Sequence, residues 1–83
     1  MKYPTIESAK VVDNHTLLVE FCKQEQRQYD ITPLLNKEVF LPLSNPAFFK
    51  NFRVEQGGYA IVWNEDIDIS EYELWMKGIP VPR

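Results

Sequence analysis

The stretch T-L-L-V-E-F-C, from Thr16 to Cys22, decides the fold. β-Branched and aromatic residues dominate it, and they favour strands because they fit a pleated, half-buried surface. A polar turn, D-N-H at residues 13–15, precedes this stretch, and a polar tetrad, K-Q-E-Q, follows it. Extended patterns lie beyond both turns: I-E-S-A-K-V-V from Ile6 to Val12, and R-Q-Y-D-I, which ends at Ile31. The sequence from Ile6 to Ile31 therefore predicts a three-stranded antiparallel meander.

A hairpin is predicted in the second half of the chain. F-R-V-E-Q and Y-A-I-V-W have extended patterns, and Gly57 and Gly58 lie between them. Both central positions of a tight hairpin turn can require a positive φ, which glycine adopts without a steric penalty. We expect this hairpin to join the meander in one sheet.

Two short helix starts separate the meander from the hairpin: T-P-L-L-N-K from Thr32 and N-P-A-F-F-K-N from Asn45. In each, a capping residue precedes a proline at the first helical position, where the missing N–H costs nothing. The connecting V-F-L-P-L contains Pro42, which favours a packed connector over a central strand. The predicted fold class is α+β, with an antiparallel sheet and short helices on one face, in a single domain of residues 1–83 without a linker.

The middle of the chain is rich in large apolar residues, and we expect them to form the main core. A chain of 83 residues buries only roughly 60 to 65% of its unfolded surface, so this core must be thin, and pairing with a second copy would add stability. The predicted core residues are Phe40, Phe48, Phe49, Phe52, Leu34, Leu35, Leu41 and Leu43.

Cysteine usage and charge restrict the location and the partners. Cys22 is the only cysteine, so no internal disulfide can form; we expect a small buried thiol and a reducing, cytoplasmic setting. The net charge is -3, and the nine basic residues are scattered singly, whereas nucleic-acid binders cluster theirs. No apolar run approaches the roughly 18 residues of a membrane span. We therefore predict neither direct nucleic-acid binding nor membrane insertion.

An acidic segment, W-N-E-D-I-D-I-S-E-Y-E-L-W, runs from Trp63 to Trp75. Oxygen-bearing side chains occupy alternate positions from Asn64, as in calcium-binding loops. Such a loop also needs glycine at its sixth position and a bidentate glutamate at its twelfth. Counting from Asn64 or from Asp66, neither position is correctly filled. The segment therefore does not predict a calcium site.

The same segment matches the start of a helix. Ser70 and Glu73 have the spacing of a capping box, in which the hydroxyl accepts from the N3 N–H and the glutamate returns to the cap's N–H. Acidic residues stand in the first turn and Lys77 in the last, as the helix dipole favours. Gly78 fits a left-handed position after the helix, and Pro80 prevents its continuation. The sequence predicts a helix over Ser70 to Lys77.

Asp66 and Asp68 are the alternative chemical candidates. Residues two apart in an extended segment project to one side about 6 to 7 Å apart, a separation compatible with a general acid and base. A small hydrolase or metal-dependent enzyme that uses this pair is the alternative function. Ile67 and Ile69 alternate with the two carboxylates, however, which favours a simple strand with its apolar side inward.

Other chemical signatures are absent from the sequence. His15 is the only histidine and lies in a predicted turn. The chain contains no CxxC motif, no glycine-rich phosphate loop and no G-x-S-x-G motif. We therefore predict no catalytic residues, no metal site and no cofactor.

An apolar stripe follows the predicted C-terminal helix. Tyr72, Trp75, Met76 and Ile79 fall at i, i+3, i+4 and i+7, while Leu74 lies off the stripe. The stripe either packs on the protein's own core, as most helix stripes do, or contacts a second chain. Tyr72, Trp75 and Met76 are therefore the candidate partner-binding residues.

Four segments together resemble a bacterial family of small domains of unknown function, domain of unknown function 2442. They are I-x-S-A-K-V-V-D-N-H-T-L-L-V-E-F, Y-D-I-T-P-L-L, F-L-P-L-S-N-P-A-F-F and V-W-N-E-D-I-D-I-S-x-x-x-L-W. Members often carry proline at the position of Ser70 and tyrosine at that of Trp75, and both changes keep a helix start and an aromatic ring. The resemblance implies a compact α+β domain without established catalytic residues.

These observations favour a non-catalytic protein-interaction or regulatory module. The thin core, the aromatic helix and the lack of a chemical constellation suggest that it associates with itself or with a partner protein.

Overall fold

The structure is a computed structural model that describes residues 4–82. Its strands are β1 (Ile6–Asp13), β2 (Thr16–Phe21), β3 (Gln26–Asp30), β4 (Arg53–Val54), β5 (Ala60–Val62), β6 (Asp68–Ser70) and β7 (Ile79–Pro80). Its α-helices are α1 (Pro46–Phe49) and α2 (Glu71–Lys77), and 3₁₀ segments span Cys22–Gln24, Thr32–Asn36 and Glu38–Ser44.

The strands form two antiparallel sheets. The first has the order β1-β2-β3-β7, and the second has the order β4-β5-β6. The meander, the hairpin and the α+β class are thus confirmed. The meander and the hairpin do not share one sheet. β7 occupies the outer edge of β3, and the Ile6 N–H donates to the carbonyl of Gly58 in the hairpin turn at 2.9 Å.

The core lies between the two sheets. Along β2, Leu17, Val19 and Phe21 point inward and are buried, and the three residues of β5 are buried as well. The second sheet and α2 contribute Ile61, Ile69 and Leu74 to the same cluster. The alternating strands, rather than the middle of the chain, therefore supply most of the core.

The core predicted from the middle segment is largely wrong. Of its eight residues, only Leu43 and Phe49 are buried, and Leu41 is 47% exposed. The other five are partly buried against the cluster. Short 3₁₀ segments, with about three residues per turn, distribute adjacent apolar residues around the helix, so they cannot all face inward. Cys22 is also only partly buried, because the chain leaves β2 there.

Glycine is required for different physical reasons in the hairpin turn and at the end of α2. Gly57 and Gly58 have φ values of 90° and 76°, which confirms the hairpin prediction. Gly78 is not left-handed, since its φ is -71° and the chain passes directly into β7. A Cβ at Gly78 would lie 2.4 Å from the Leu74 carbonyl oxygen. Close approach of the backbone, and not a positive φ, therefore requires glycine at the end of α2.

Both ends of the described chain leave the first sheet at the same end. Ile6 pairs with Phe21 in β2, and Arg27 at the start of β3 pairs with Pro80. The opposite end of this sheet carries the turn that contains His15. None of the helices within residues 4–82 combines the length and the apolar character that crossing a membrane requires.

Candidate functional site

The acidic segment starts with a turn that Asn64 stabilises. Its Oδ1 accepts from the Asp66 N–H at 2.8 Å and from the Ile67 N–H at 2.9 Å. Ile67 and Ile69 are buried, whereas Asp66 and Asp68 are exposed. The predicted alternation is confirmed, and only Asp68 lies in a strand.

Ser70 caps α2, as its sequence predicts. Its Oγ accepts from the Glu73 N–H at 3.1 Å. The second half of the predicted capping box is wrong, because the Glu73 carboxylate accepts from the Tyr29 hydroxyl at 2.8 Å. Burial of the ring and this hydrogen bond both raise the pKa of Tyr29 well above its usual range. Glu73 thus connects α2 to β3 instead of closing its own cap.

The apolar stripe of α2 does not face the core as a unit. Leu74, off the stripe, is fully buried, and Trp75 packs edge-on against Phe21 with 5.1 Å between ring centroids. Tyr72, Met76 and Ile79 are exposed by 49%, 54% and 70%. Of the two alternatives for the stripe, packing on the protein's own core therefore holds for Trp75, whereas Tyr72, Met76 and Ile79 remain exposed.

Arg27 holds the end of α2 against the first sheet. Its Nη1 donates to the Trp75 carbonyl at 2.8 Å, and its guanidinium carbon lies 3.6 Å from the centroid of the Trp75 ring. A cation is favourable at the C-terminal end of a helix, where unpaired carbonyls concentrate negative charge. The same contact places a cation over an aromatic face. Trp75, a candidate partner-binding residue, is thereby part of the internal packing.

An open groove of about 690 Å³ lies on the side of α2 that carries Glu73 and Lys77. Its walls are β3, β6, α2 and the two 3₁₀ segments that follow β3. Apolar atoms of Leu34, Phe40 and Ile79 contribute to the lining. We call this feature the β3–β6 groove; the sequence alone did not indicate it.

The backbone of β6 presents an unpaired edge to this groove. The Ile67 carbonyl accepts from Trp63, and the Glu71 N–H donates to Tyr59. Residues two apart along an antiparallel strand point their backbone hydrogen-bonding groups the same way. The backbone N–H and carbonyl of Ile69 therefore also point toward β5. Asp68 and Ser70 then direct their backbone N–H groups away from β5. Both residues line the groove, and β6 is the outermost strand of its sheet.

Charges in the groove differ in whether they already have partners. Asp30 Oδ1 accepts from the Thr32 N–H at 2.8 Å and lies 3.3 Å from His15 Nδ1. Hydrogen bonds from Thr32, with a smaller contribution from His15, hold the pKa of Asp30 below its usual range. Glu73 is bonded to Tyr29. Lys37 and Lys77 form no ion pair with any residue between 4 and 82.

His15 lies at the exposed end of the first sheet. Its Nδ1 is 3.5 Å from Asp13 Oδ1 and 3.3 Å from Asp30 Oδ1, and all three side chains are more than half exposed. It therefore contacts acids of the meander rather than Asp66 or Asp68. Across residues 4–82, no group of three or more His, Cys, Asp or Glu side chains is arranged to hold a metal ion.

Comparison with known protein families gives a match over most of the chain. The family described as "Protein of unknown function (DUF2442)" matches residues 6–80, which is nearly the whole chain. No curated protein and no solved structure matches it.

Proposed function

The chain belongs to the DUF2442 family, and we propose that it acts there as a non-catalytic protein-interaction module that self-associates. The observation that supports this proposal is the C-terminal patch, which consists of Tyr72, Met76 and Ile79. Tyr72 and Met76 lie one turn apart on α2, Ile79 follows in β7, and each of these large apolar residues has about half or more of its surface in water. Contiguous exposed apolar surface on a small protein is typical of interaction sites.

The size of the patch determines what else an interface must include. A stable dimer buries about 800 Å² on each partner, roughly a seventh of the 5609 Å² that this chain exposes. Three side chains cannot supply that area, so neighbouring surface must take part. Tyr59 is 57% exposed, and its carbonyl accepts from the Glu71 N–H at the start of α2. Tyr59 is therefore a further aromatic candidate for the interface.

Met76→Glu tests the proposal without disturbing the core. Met76 is 54% exposed, so the change should leave the fold intact while placing a charge within the patch. Trp75→Ala is unsuitable, because the Trp75 ring packs against Phe21 and Arg27. We expect sedimentation equilibrium to show a concentration-dependent dimer for the wild type and roughly thirtyfold weaker association, about 2 kcal/mol, for Met76→Glu.

Val12→Glu is the matched control. Val12 is 50% exposed and lies near the opposite end of the first sheet from Phe21. It should associate like the wild type, and circular dichroism of each variant should show an unchanged fold. A wild-type chain that stays monomeric at millimolar concentration contradicts self-association. Equal weakening by Val12→Glu would remove the patch from the interface.

A further inference from the structure

We infer that, in the dimer, the C-terminal patch of each copy binds in the β3–β6 groove of the other. The inference rests on the proposed self-association and names the surface that the patch contacts. Two such contacts related by a two-fold axis form an isologous interface, in which each copy supplies one patch and one groove. Contact between the two patches, with both grooves left open, is the competing arrangement.

The patch and the groove are neighbouring surfaces of one protomer. Ile79 belongs to the patch and also lines the groove. Successive residues of a helix are about 100° apart around its axis, so the groove side of α2 at Glu73 adjoins the patch side at Tyr72. A two-fold axis close to Ile79 therefore brings the patch of each copy to the groove of the other.

The area that a dimer needs favours this arrangement. A large side chain offers roughly 200 Å², so the exposed parts of the three patch residues amount to on the order of 350 Å². Each partner buries about 800 Å² in a stable interface, more than twice that area. The groove of about 690 Å³ beside the patch surrounds inserted side chains with walls. Contact between the two patches leaves this lining in water.

The lining of the groove suits an uncharged occupant. Its charged groups nearly cancel, since three carboxylates stand against two lysines: Asp30, Asp68, Glu73, Lys37 and Lys77. A strongly charged ligand of either sign therefore gains little there. Leu34 and Phe40 offer apolar surface to the patch, and the flexible side chain of Met76 adapts to an irregular cleft.

The edge of β7 cannot supply the contact by strand addition. The Val81 N–H donates to the Gln26 carbonyl at 3.0 Å. Residues two apart point their backbone groups the same way, so those of Ile79 also point toward β3. Pro80 is left facing outward, and proline has no N–H to donate. A second copy beside β7 must therefore be held by side chains, as a patch in a groove is.

Leu34→Lys and Pro33→Lys test the groove, because each adds a cation to its wall. Leu34 is partly buried, whereas Pro33 is exposed, so Pro33→Lys decides the outcome if circular dichroism shows that Leu34→Lys unfolds. We expect sedimentation equilibrium to show about tenfold weaker association of each folded variant than of the wild type. Val12→Lys adds the same charge outside the groove and should associate like the wild type.

A mixture of Met76→Glu and Leu34→Lys distinguishes the two arrangements, and Pro33→Lys replaces Leu34→Lys if the latter unfolds. One contact of the mixed dimer is then wild type, and the other places the introduced glutamate against the introduced lysine. Native mass spectrometry, with one variant ¹⁵N-labelled, should show mixed dimer above the half of all dimer that random pairing gives. With Val12→Lys in place of Leu34→Lys, the mixed dimer should stay below half.

The outcomes separate this inference from the proposed function. If Met76→Glu weakens the dimer while the folded groove variants leave it unchanged, self-association stands and the patch-in-groove contact is overturned. Mixed dimer at or below half in the first mixture, or an equal excess with Val12→Lys, also overturns the contact. A wild-type chain that stays monomeric overturns both.

Discussion

Tyr29 is the residue at which the core and the groove meet. Its ring is only 5% exposed, yet its hydroxyl reaches the groove and donates to Glu73. A buried tyrosine needs a partner for its hydroxyl, since an unpaired polar group in the interior costs about 1 to 3 kcal/mol. Glu73 satisfies that need, and both its hydrogen bond and its charge oppose ionisation of the phenol. This pair should therefore determine how the protein responds to alkaline pH.

Glu73→Gln should lower the pKa of Tyr29 without returning it to the model-peptide value of 10.0. Burial is the largest cause of the raised pKa and remains in the variant; only the contributions of Glu73 are lost. Absorbance at 295 nm during alkaline titration should show a late transition from Tyr29 in the wild type and an earlier transition for it in Glu73→Gln. Tyr59→Phe, which removes an exposed phenol, should leave the late transition unchanged. A late transition that is insensitive to Glu73→Gln contradicts the assignment.

The sign of the linked stability change follows from the raised pKa. Folded protein keeps the Tyr29 proton at a pH where the unfolded chain has begun to lose it. The stabilising contribution is therefore complete below pH 10 and is lost as pH rises through the folded-state pKa. Asp30 behaves oppositely, because its lowered pKa gives a contribution present above the usual carboxylate range and lost in acid.

For single residues, the sequence predicts correctly those features that depend on neighbours along the chain. The positive φ values of Gly57 and Gly58, and the cap in which the Ser70 Oγ accepts from the Glu73 N–H, depend on neighbours within three residues. Tyr29 and Glu73 are 44 positions apart, and no local pattern connects them. Likewise, the need for glycine at Gly78 comes from the Leu74 carbonyl and from Arg27, whose Cβ would lie 3.0 Å from an added methyl group.

At the scale of elements, the sequence of α2 predicts where the helix begins and ends, but it does not predict which side of the helix is buried. The predicted range, Ser70 to Lys77, differs by only the cap residue from the observed Glu71–Lys77. Its sequence leaves the orientation open, because apolar residues lie on more than one side. Contact with Phe21 and Arg27 selects the Leu74 and Trp75 side for burial, and this choice leaves Met76 and Ile79 in water.

Arg27→Lys should destabilise the protein by about 1 to 2 kcal/mol. Lysine keeps the charge but loses the planar group that both stacks on Trp75 and donates to its carbonyl. Urea unfolding measures the change. Arg53→Lys is the control, because Arg53 is exposed in β4, and it should stay within about 0.5 kcal/mol of the wild type. Equal effects of the two substitutions would mean that the Arg27 contact adds no stability.

Across the whole molecule, two sheets share one hydrophobic cluster. The fluorescence of Trp63 is a probe of the second sheet. Its ring stacks on Phe49 with 6.2 Å between centroids, and its Nε1 donates to the Phe49 carbonyl at 2.7 Å. Trp75 reports on α2 and the first sheet. Residues of both sheets belong to the same buried cluster, so neither sheet retains a complete core without the other.

The two sheets should therefore unfold together. In Trp63→Phe and Trp75→Phe, one tryptophan remains as a fluorescent probe of one side. We expect the fluorescence midpoint in urea to coincide with the midpoint from circular dichroism within each variant, as a two-state transition requires. The two variants need not share a midpoint with each other, because each loses a different contact. Separate fluorescence and circular-dichroism midpoints in either variant contradict a single cooperative unit.

The number of sheets and the location of the main core are the global features that sequence patterns predicted least well. Strand periodicity identified the meander and the hairpin, because alternation of Leu17, Val19 and Phe21 is a local signal. It carried no information on whether the hairpin joins the edge of β1 or packs across its face. The core prediction for the aromatic-rich middle segment was wrong because 3₁₀ geometry spreads the side chains around the surface. Few local sequence patterns predict 3₁₀ segments.

The shared exit of β1 and β7 from one end of the first sheet has a practical consequence for engineering. Those strands are three spacings apart, or roughly 14 Å, a gap that about five linker residues can cross. A linker can therefore join the outer ends of β1 and β7, and new ends can be opened in the turn around His15, giving a circular permutant in which attached tags leave the first sheet at its opposite end. Such a permutant would carry its label beside Asp30, whereas a label attached at the outer end of β1 or β7 would lie at the other end of the first sheet.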